Sequence, residues 1–137
     1  MSSLFHLSFY VHDLCLARQF YGDLLGCDEG RSTEQWIDFN FFGHQLSLHL
    51  GTPAHHTSTS RVDAHNVPMP HFGVILDMPA WQALMARLEQ QDVEFVIAPS
   101  MRFVGQAGQQ ATAFVVDPSG NALEFKGFSD LSRVYEG

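Results

Sequence analysis

Positively charged residues are scarce in this chain. Seven Lys and Arg stand against fifteen Asp and Glu, which gives a formal net charge of -8 with histidine neutral. Such an excess of negative charge repels phosphate backbones and anionic membrane surfaces at long range. The composition therefore argues against nucleic acid and against a membrane surface as partners.

Cysteines and long apolar runs are also rare. The two cysteines, Cys15 and Cys27, have no metal-type spacing, and Cys15 falls among helix-forming residues, so we expect two reduced thiols and no disulfide framework. The first apolar run, residues 4–11, is too short to cross a membrane, and no basic segment precedes it as in a secretory signal. We expect a cytoplasmic protein.

What the sequence does contain is typical of a globular domain. Hydrophobic residues make up 45% and charged residues 16% of the chain, which is an ordinary composition for a protein that buries a core. A length of 137 residues fits one compact domain, or two half-size modules that share a core.

The first half of the chain has the pattern of a strand, a helix and a hairpin. Residues 4–11 are rich in strand formers, and a helical spacing of apolar residues follows and ends at Gly26. Two further apolar runs, residues 36–42 and 45–50, are separated by only two residues, which predicts a β-hairpin.

The second half repeats this order. Residues 71–76 predict a strand, Pro79 and the apolar spacing after it predict a helix, and residues 93–97 predict another strand. Residues 111–116 and 122–128 predict a hairpin around a strong turn signal. The repeat has a period of about 65 residues, which indicates an internal duplication.

The segment between the halves is rich in Ser, Thr, His and Pro and has no sustained period, so we expect an exposed connection. We therefore predict an α+β fold of two βαβββ modules in one domain, residues 1–137. Module one spans residues 1–52, the connector 53–69 and module two 70–137.

The duplication pairs particular polar residues. His6 and His71 occupy the same place in the opening strands of their modules. Alignment of the final hairpins through their turns sets Ser47 opposite Glu124. The alternative is a chance similarity between two α+β segments, which would give these matches no functional meaning.

Three stretches of the sequence resemble the vicinal oxygen chelate superfamily, which includes glyoxalase I, extradiol dioxygenases and bleomycin-resistance proteins. They are Phe5-His6-Leu7-Ser8-Phe9-Tyr10-Val11, Pro70-His71-Phe72-Gly73-Val74 and Asp117-Pro118-Ser119-Gly120-Asn121-Ala122-Leu123-Glu124-Phe125. The last stretch is the most specific, and the similarity covers nearly the whole chain. The resemblance implies paired βαβββ modules whose mixed sheets curl into a cup, and a homodimer.

Carried over by position, the resemblance implies that His6, His71 and Glu124 hold one divalent metal ion, which could be Fe, Mn, Ni, Co or Zn. Two imidazoles and a carboxylate on one face of a metal leave positions open for substrate oxygens. Glu124 alternates with apolar neighbours along its strand, and an enclosed carboxylate needs a cation or hydrogen-bond donors. Taken singly, either histidine could equally be a surface or hydrogen-bonded residue.

Other candidate residues surround this set. Many relatives place Glu or Gln where this chain has Ser47, a poor ligand that could instead contact a substrate. His49 lies two residues further on the same strand face and could be a catalytic base, a fourth ligand or only a polar neighbour. Arg102 and Phe103 begin a glycine-rich stretch with the character of a mobile loop, where Arg102 could clamp a substrate carboxylate. An ordinary surface loop with a solvent-side ion pair is the alternative.

We expect a metal-dependent enzyme that acts on a small oxygenated organic substrate by lyase, isomerase or dioxygenase-like chemistry. Extradiol ring cleavage is not expected, because Phe114 stands where those enzymes carry a tyrosine and residues 105–108 contain no histidine to move a proton. The alternative function is metal-free binding of a small molecule or drug, as in bleomycin-resistance proteins, and the net charge of -8 would suit a cationic compound.

Overall fold

The computed structural model describes residues 3–62, 64–106 and 108–136. It contains two four-stranded mixed sheets and one two-stranded sheet, with few helices, which confirms the predicted α+β class. The chain divides into two compact units, one of Met1–His55 with Asp117–Asn121 and one of His56–Val116 with Ala122–Gly137. No helix within the described ranges is long and apolar enough to cross a membrane.

The first unit follows the predicted order with one additional strand. Its elements are β1 (His6–Val11), α1 (Leu14–Ala17) continued by a π-helical segment (Arg18–Leu24), β2 (Asp28–Ser32), β3 (Trp36–Phe41) and β4 (His44–Leu50). Asp13 caps the helix by accepting from the Leu16 amide at 2.9 Å. The sheet order is β1-β4-β3-β2, with β1 parallel to β4. The sequence analysis missed β2 because all its residues are exposed and few of them favour strands.

The second unit repeats this topology. Its elements are β5 (Thr59–Val62), β6 (His65–Pro68), β7 (Phe72–Asp77), α2 (Met78–Gln90), β8 (Ile97–Arg102), β9 (Gln110–Val116), β10 (Ala122–Phe128) and a 3₁₀ turn (Leu131–Arg133). The main sheet has the order β7-β10-β9-β8, with β7 parallel to β10.

The structure corrects two sequence-based expectations for the second unit in part. The described residues of the connector are largely exposed, as expected, but they include the hairpin β5–β6, in which Val67 is 1% exposed. The predicted strand at residues 93–97 begins only at Ile97 and runs to Arg102. The alternation over residues 93–96 reflects half-buried side chains in a segment that joins the sheet only at its end, where the Val96 amide donates to the Phe114 carbonyl at 2.8 Å. Arg102 therefore belongs to a strand, whereas the sequence suggested a mobile loop.

The strand registers place equivalent residues in the two sheets. Ser8 on β1 lies opposite Ser47 on β4, and Gly73 on β7 lies opposite Glu124 on β10. His6 and His71 each precede the first member of these pairs by two residues. Because side chains alternate between the faces of a strand, each histidine shares a sheet face with its residue on the last strand.

Candidate functional site

His71 and Glu124 meet in the second unit. His71 Nε2 lies 3.1 Å from Glu124 Oε1, and the Glu124 side chain is only 5% exposed. Gly73 permits this approach, because a Cβ atom at this position would lie 1.6 Å from the carbonyl oxygen of Glu124. The glycine therefore allows β7 and β10 to run closely side by side and holds the carboxylate next to the imidazole.

The remaining oxygen of Glu124 has two further partners. Thr112 Oγ1 donates to Oε2 at 2.6 Å, and Arg102 Nη1 lies 3.4 Å from the same atom. Burial by itself raises the pKa of Glu124, but the hydrogen bonds from His71 and Thr112, together with nearby positive charge, bring that pKa below its ordinary value. Glu124 is thus held as an ionised carboxylate inside the protein.

His71 is oriented from its other ring nitrogen. Nδ1 lies 2.7 Å from the Pro68 carbonyl oxygen, which can only accept, so Nδ1 carries the hydrogen. The imidazole also packs edge-on against Phe114, with ring centroids 4.9 Å apart. The hydrogen bond to Glu124 raises the pKa of His71, an effect that outweighs the opposite effect of burial. The connector hairpin, which contains Pro68, therefore helps to position this histidine.

Arg102 is buried, so the solvent-side ion pair considered from the sequence is wrong. Its side chain is 4% exposed, and its guanidinium carbon lies 5.3 Å from the centre of the Phe114 ring. Arg102 Nε and Nη2 have no hydrogen-bond partner within the described residues, and the same holds for Ser100 Oγ and Gln110 Oε1. The register aligns Arg102 with Gln110 and Ser100 with Thr112. Unused donors and acceptors therefore lie on the neighbouring strands β8 and β9, and one of these residues, Arg102, contacts Glu124.

In the first unit, His6 belongs to a different polar network. His6 Nδ1 lies 2.8 Å from Gln45 Oε1, and Gln45 Nε2 donates to Asp38 Oδ2 at 3.4 Å. Ser47 Oγ donates to Asp38 Oδ1 at 2.5 Å. His6, Asp38 and Gln45 line a cavity of about 410 Å³. Ser47, predicted to contact a substrate, is 7% exposed and is engaged by Asp38.

Two further predicted residues lie outside these contacts. His49 is half-buried beside Trp36, at a ring-centroid distance of 6.5 Å, and lines a second cavity of about 270 Å³ with Ser8 and Tyr10. Phe103 follows β8 with a positive φ of 54° and turns the chain out of the sheet. Ala107, in the glycine-rich stretch considered from the sequence, lies outside the described residues.

Each unit thus holds part of the predicted metal set. The second unit brings together His71 and Glu124 with Arg102, and the first holds His6 with Gln45. Within the described ranges, no three His, Cys, Asp or Glu side chains are gathered closely enough to bind a metal ion. The sequence analysis missed Asp38 and Thr112, although the alternation of buried strands places each on the same face as a recognised residue.

Comparisons with known proteins agree with this architecture. The family model described as Glyoxalase/Bleomycin resistance protein/Dioxygenase superfamily matches residues 3–125. A glyoxalase/bleomycin resistance protein/dioxygenase from Alicyclobacillus acidocaldarius is 32% identical, with a TM-score of 0.80, and the match covers 97% of this chain and 96% of that one.

More distant structures share the fold. A lactoylglutathione lyase from Agrobacterium tumefaciens is 22% identical with a TM-score of 0.67, over 100% of this chain and 98% of that one. The fosfomycin resistance protein FosX from Listeria monocytogenes is 16% identical with a TM-score of 0.68, over 98% of both chains. Among curated proteins, none shows a significant sequence match. From the match over residues 3–125 and the 32% identity across nearly the whole fold, the chain belongs to the glyoxalase/bleomycin resistance protein/dioxygenase superfamily.

Proposed function

We propose that this protein is a metal-dependent enzyme of the vicinal oxygen chelate type, with one divalent metal ion held by His6, His71 and Glu124. The observation that supports this most directly is the 3.1 Å separation between His71 Nε2 and Glu124 Oε1. Two ligands of one ion, each bonded at about 2.0 to 2.2 Å, lie roughly 3 Å apart. The pair therefore fits a metal ion without rearrangement of the strands.

The histidines also fit this role chemically. In both, Nδ1 faces an oxygen acceptor, the Pro68 carbonyl for His71 and the Gln45 amide oxygen for His6. A neutral imidazole with its hydrogen on Nδ1 keeps a lone pair on Nε2, which is the form that binds a metal. Outer partners of this kind are usual for metal-binding histidines.

The metal would act as a Lewis acid that polarises oxygens of a small oxygenated substrate. Arg102 would orient an anionic group of that substrate, because its Nε and Nη2 have no partner within the described residues. Phe103 and Ser47 would contribute substrate contacts, and His49 a base. Reaction and substrate then depend on which oxygens these groups can reach.

Metal content tests the proposal. Untagged wild-type protein is expected to retain about one equivalent of a divalent metal, whereas Glu124→Gln should retain less than a tenth as much, because it lacks the charged ligand. Glu94→Gln is the matched control, since Glu94 is an exposed glutamate of the same unit. Equal metal in Glu124→Gln and wild type would show that Glu124 is a structural acid. A metal-free wild type that does not take up metal would favour the small-molecule-binding alternative.

Activity assays test which reaction and which class of substrate the protein accepts. We expect the metal-loaded protein not to cleave catechols, because Phe114 offers no proton and a positioned acid or base contributes about 10² to 10⁴ in rate. In a screen of small oxygenated compounds, Arg102→Met should lose turnover of anionic substrates while neutral analogues are affected less. Formation of ring-opened product from catechol would contradict the expectation, and its loss in His49→Ala would identify His49 as the proton-transfer group.

We also propose a cytoplasmic homodimer, in which the ligands come from one chain or from two. Mixing His6→Ala and His71→Ala chains under conditions that exchange subunits distinguishes these arrangements. Ligands shared between chains restore one intact site in each mixed dimer, whereas ligands from a single chain restore none.

A further inference from the structure

The first unit carries a buried carboxylate on β3, the strand next to the β4 position of Ser47, where the resemblance implies Glu or Gln. Asp38 on β3 pairs in register with Ser47 on β4, whereas Phe114 on β9 pairs with Glu124 on β10. The two modules therefore differ at equivalent positions, because the acidic residue lies on the last strand in the second module and on the preceding strand in the first. Asp38 is 9% exposed, so its carboxylate needs partners inside the protein.

The partners of Asp38 fix the orientation of Gln45. Asp38 Oδ1 accepts from Ser47 Oγ at 2.5 Å, and Asp38 Oδ2 accepts from Gln45 Nε2 at 3.4 Å. An ionised carboxylate can only accept hydrogen bonds, so the amide nitrogen of Gln45 must face Asp38. The amide oxygen of Gln45 then faces His6.

The orientation of Gln45 in turn sets the tautomer of His6. Gln45 Oε1 lies 2.8 Å from His6 Nδ1, and an amide oxygen can only accept. The hydrogen of the neutral imidazole is therefore held on Nδ1, and Nε2 keeps its lone pair. His71 also has an acceptor at Nδ1, the Pro68 carbonyl, although its Nε2 donates to Glu124 in the metal-free protein. In both modules an acceptor therefore holds a hydrogen on Nδ1, a backbone carbonyl in one and a side-chain relay in the other.

We propose that Asp38 is a positioning residue that acts through Gln45 to hold His6 in the Nδ1–H tautomer, ready to bind a metal through Nε2. The relay itself is a property of the metal-free protein, and only its link to metal binding rests on the proposed function. The relay gives Ser47 a structural role in addition to the proposed substrate contact, because the Ser47 hydroxyl donates to the other oxygen of Asp38.

Histidine tautomers can be measured directly in the metal-free protein. Long-range ¹H–¹⁵N correlation spectra at pH 8, after treatment with a chelator, distinguish Nδ1–H from Nε2–H imidazoles, and a His6→Gln sample assigns the His6 signals. We expect Nδ1–H in the wild type. In Asp38→Ala and Gln45→Ala the Nε2–H form should become the major one, because the acceptor is lost or no longer oriented.

Two more variants keep the experiment decisive. Asp38→Asn has nearly the shape of the wild-type residue and will show the effect if Asp38→Ala fails to fold. Its amide can present either oxygen or nitrogen to Gln45, so a mixture of both tautomers is expected. Asp28→Ala is the control, since it removes an exposed carboxylate from β2 of the same sheet. The His6 tautomer should not change in that variant.

Titration with Co²⁺ then tests the link to the metal. We expect the Kd for Co²⁺ to rise about 10- to 100-fold in Asp38→Ala and Gln45→Ala relative to wild type and Asp28→Ala. An unchanged tautomer in Asp38→Ala and Asp38→Asn would overturn the relay. A changed tautomer with unchanged Co²⁺ affinity would overturn the role in metal binding. If the wild type binds no Co²⁺ but the tautomer responds as expected, the relay stands and the proposed metal function fails.

Discussion

At the scale of single residues, the hydroxyl of Tyr21 contributes a buried hydrogen bond to the first unit. Tyr21 is 0% exposed, and its hydroxyl donates to Asp117 Oδ2 at 2.8 Å. Asp117 also accepts from the backbone amides of Ser119 and Asn121, each at 2.9 Å. Burial, and then the negative charge of Asp117, raise the pKa of Tyr21 well above 10.0. The most specific sequence stretch of the chain is therefore anchored by a buried phenol.

Tyr21→Phe should lower the free energy of unfolding by about 1.5 kcal/mol at pH 7, because a hydrogen bond to a charged acceptor is lost. The raised pKa means that folded Tyr21 keeps its proton, so its contribution is complete below pH 10 and declines as pH rises further. The difference between wild type and variant should therefore narrow above pH 10. Urea unfolding at pH 7 and at higher pH measures this, and a constant difference across the series would contradict it.

At the scale of strands, Gly73 controls the spacing between β7 and β10. Gly73→Ala should destabilise the protein by about 3 kcal/mol or more, because the new methyl group meets the Glu124 backbone, which cannot move as a flexible side chain would. Gly108→Ala is the control, since its Cβ would meet nothing within 4 Å, and we expect a change within about 0.5 kcal/mol. Similar urea midpoints for the two variants would show that the strands can separate at little cost.

A second prediction at the scale of strands concerns the packing of the connector hairpin. Val67, on β6, forms a buried cluster with Ile97 and Phe114, against which Val62 packs. Val67→Ala should cost about 2 kcal/mol, from two lost methyl groups and the cavity they leave. Val104→Ala makes the same chemical change at a side chain that is 69% exposed, and its effect should be small. Equal unfolding midpoints for these variants would mean that the hairpin is detached in solution.

Sequence reasoning succeeded where local chemistry decides the structure. Periodic apolar spacing, the short separation between apolar runs in the first half and the final turn predicted both helices and the two pairs of final strands. It failed for β2 and for the start of β8, where strand pairing overrides weak local preference. The polar composition of the connector gave no indication of the β5–β6 hairpin, because a single buried valine produces no hydrophobic periodicity.

The candidate site was also predictable only in part, because strand pairing and not local sequence decides which of its residues meet. His71 and Glu124, two of the three metal ligands that the resemblance implies, lie next to each other, while their role as ligands stays a prediction. The burial of Arg102 and the relay from Asp38 to His6 depend on cross-strand register, which one sequence does not reveal. Glycine-rich neighbours made Arg102 resemble a loop residue, although it ends a strand.

For the whole molecule, the two compact units are interleaved along the chain, because residues 117–121 belong to the first unit. We expect a fragment of residues 1–55 not to fold cooperatively, since it lacks the carboxylate that satisfies Tyr21. Circular dichroism and urea titration of the fragment test this. Mixing it with residues 56–137 should restore cooperative unfolding, whereas a sharp transition for the fragment alone would contradict the expectation.

The interleaving also fixes a sequence of events during synthesis. Tyr21 and Asp117 are 96 residues apart, and ribosomes add about 5 to 20 residues per second. The Tyr21 hydroxyl therefore lacks its Asp117 acceptor for roughly 5 to 20 s after Tyr21 is made. During this interval the nascent first unit is incomplete, because residues 117–121 belong to it. The protein acquires its finished N-terminal unit only when its C-terminal strands are being made.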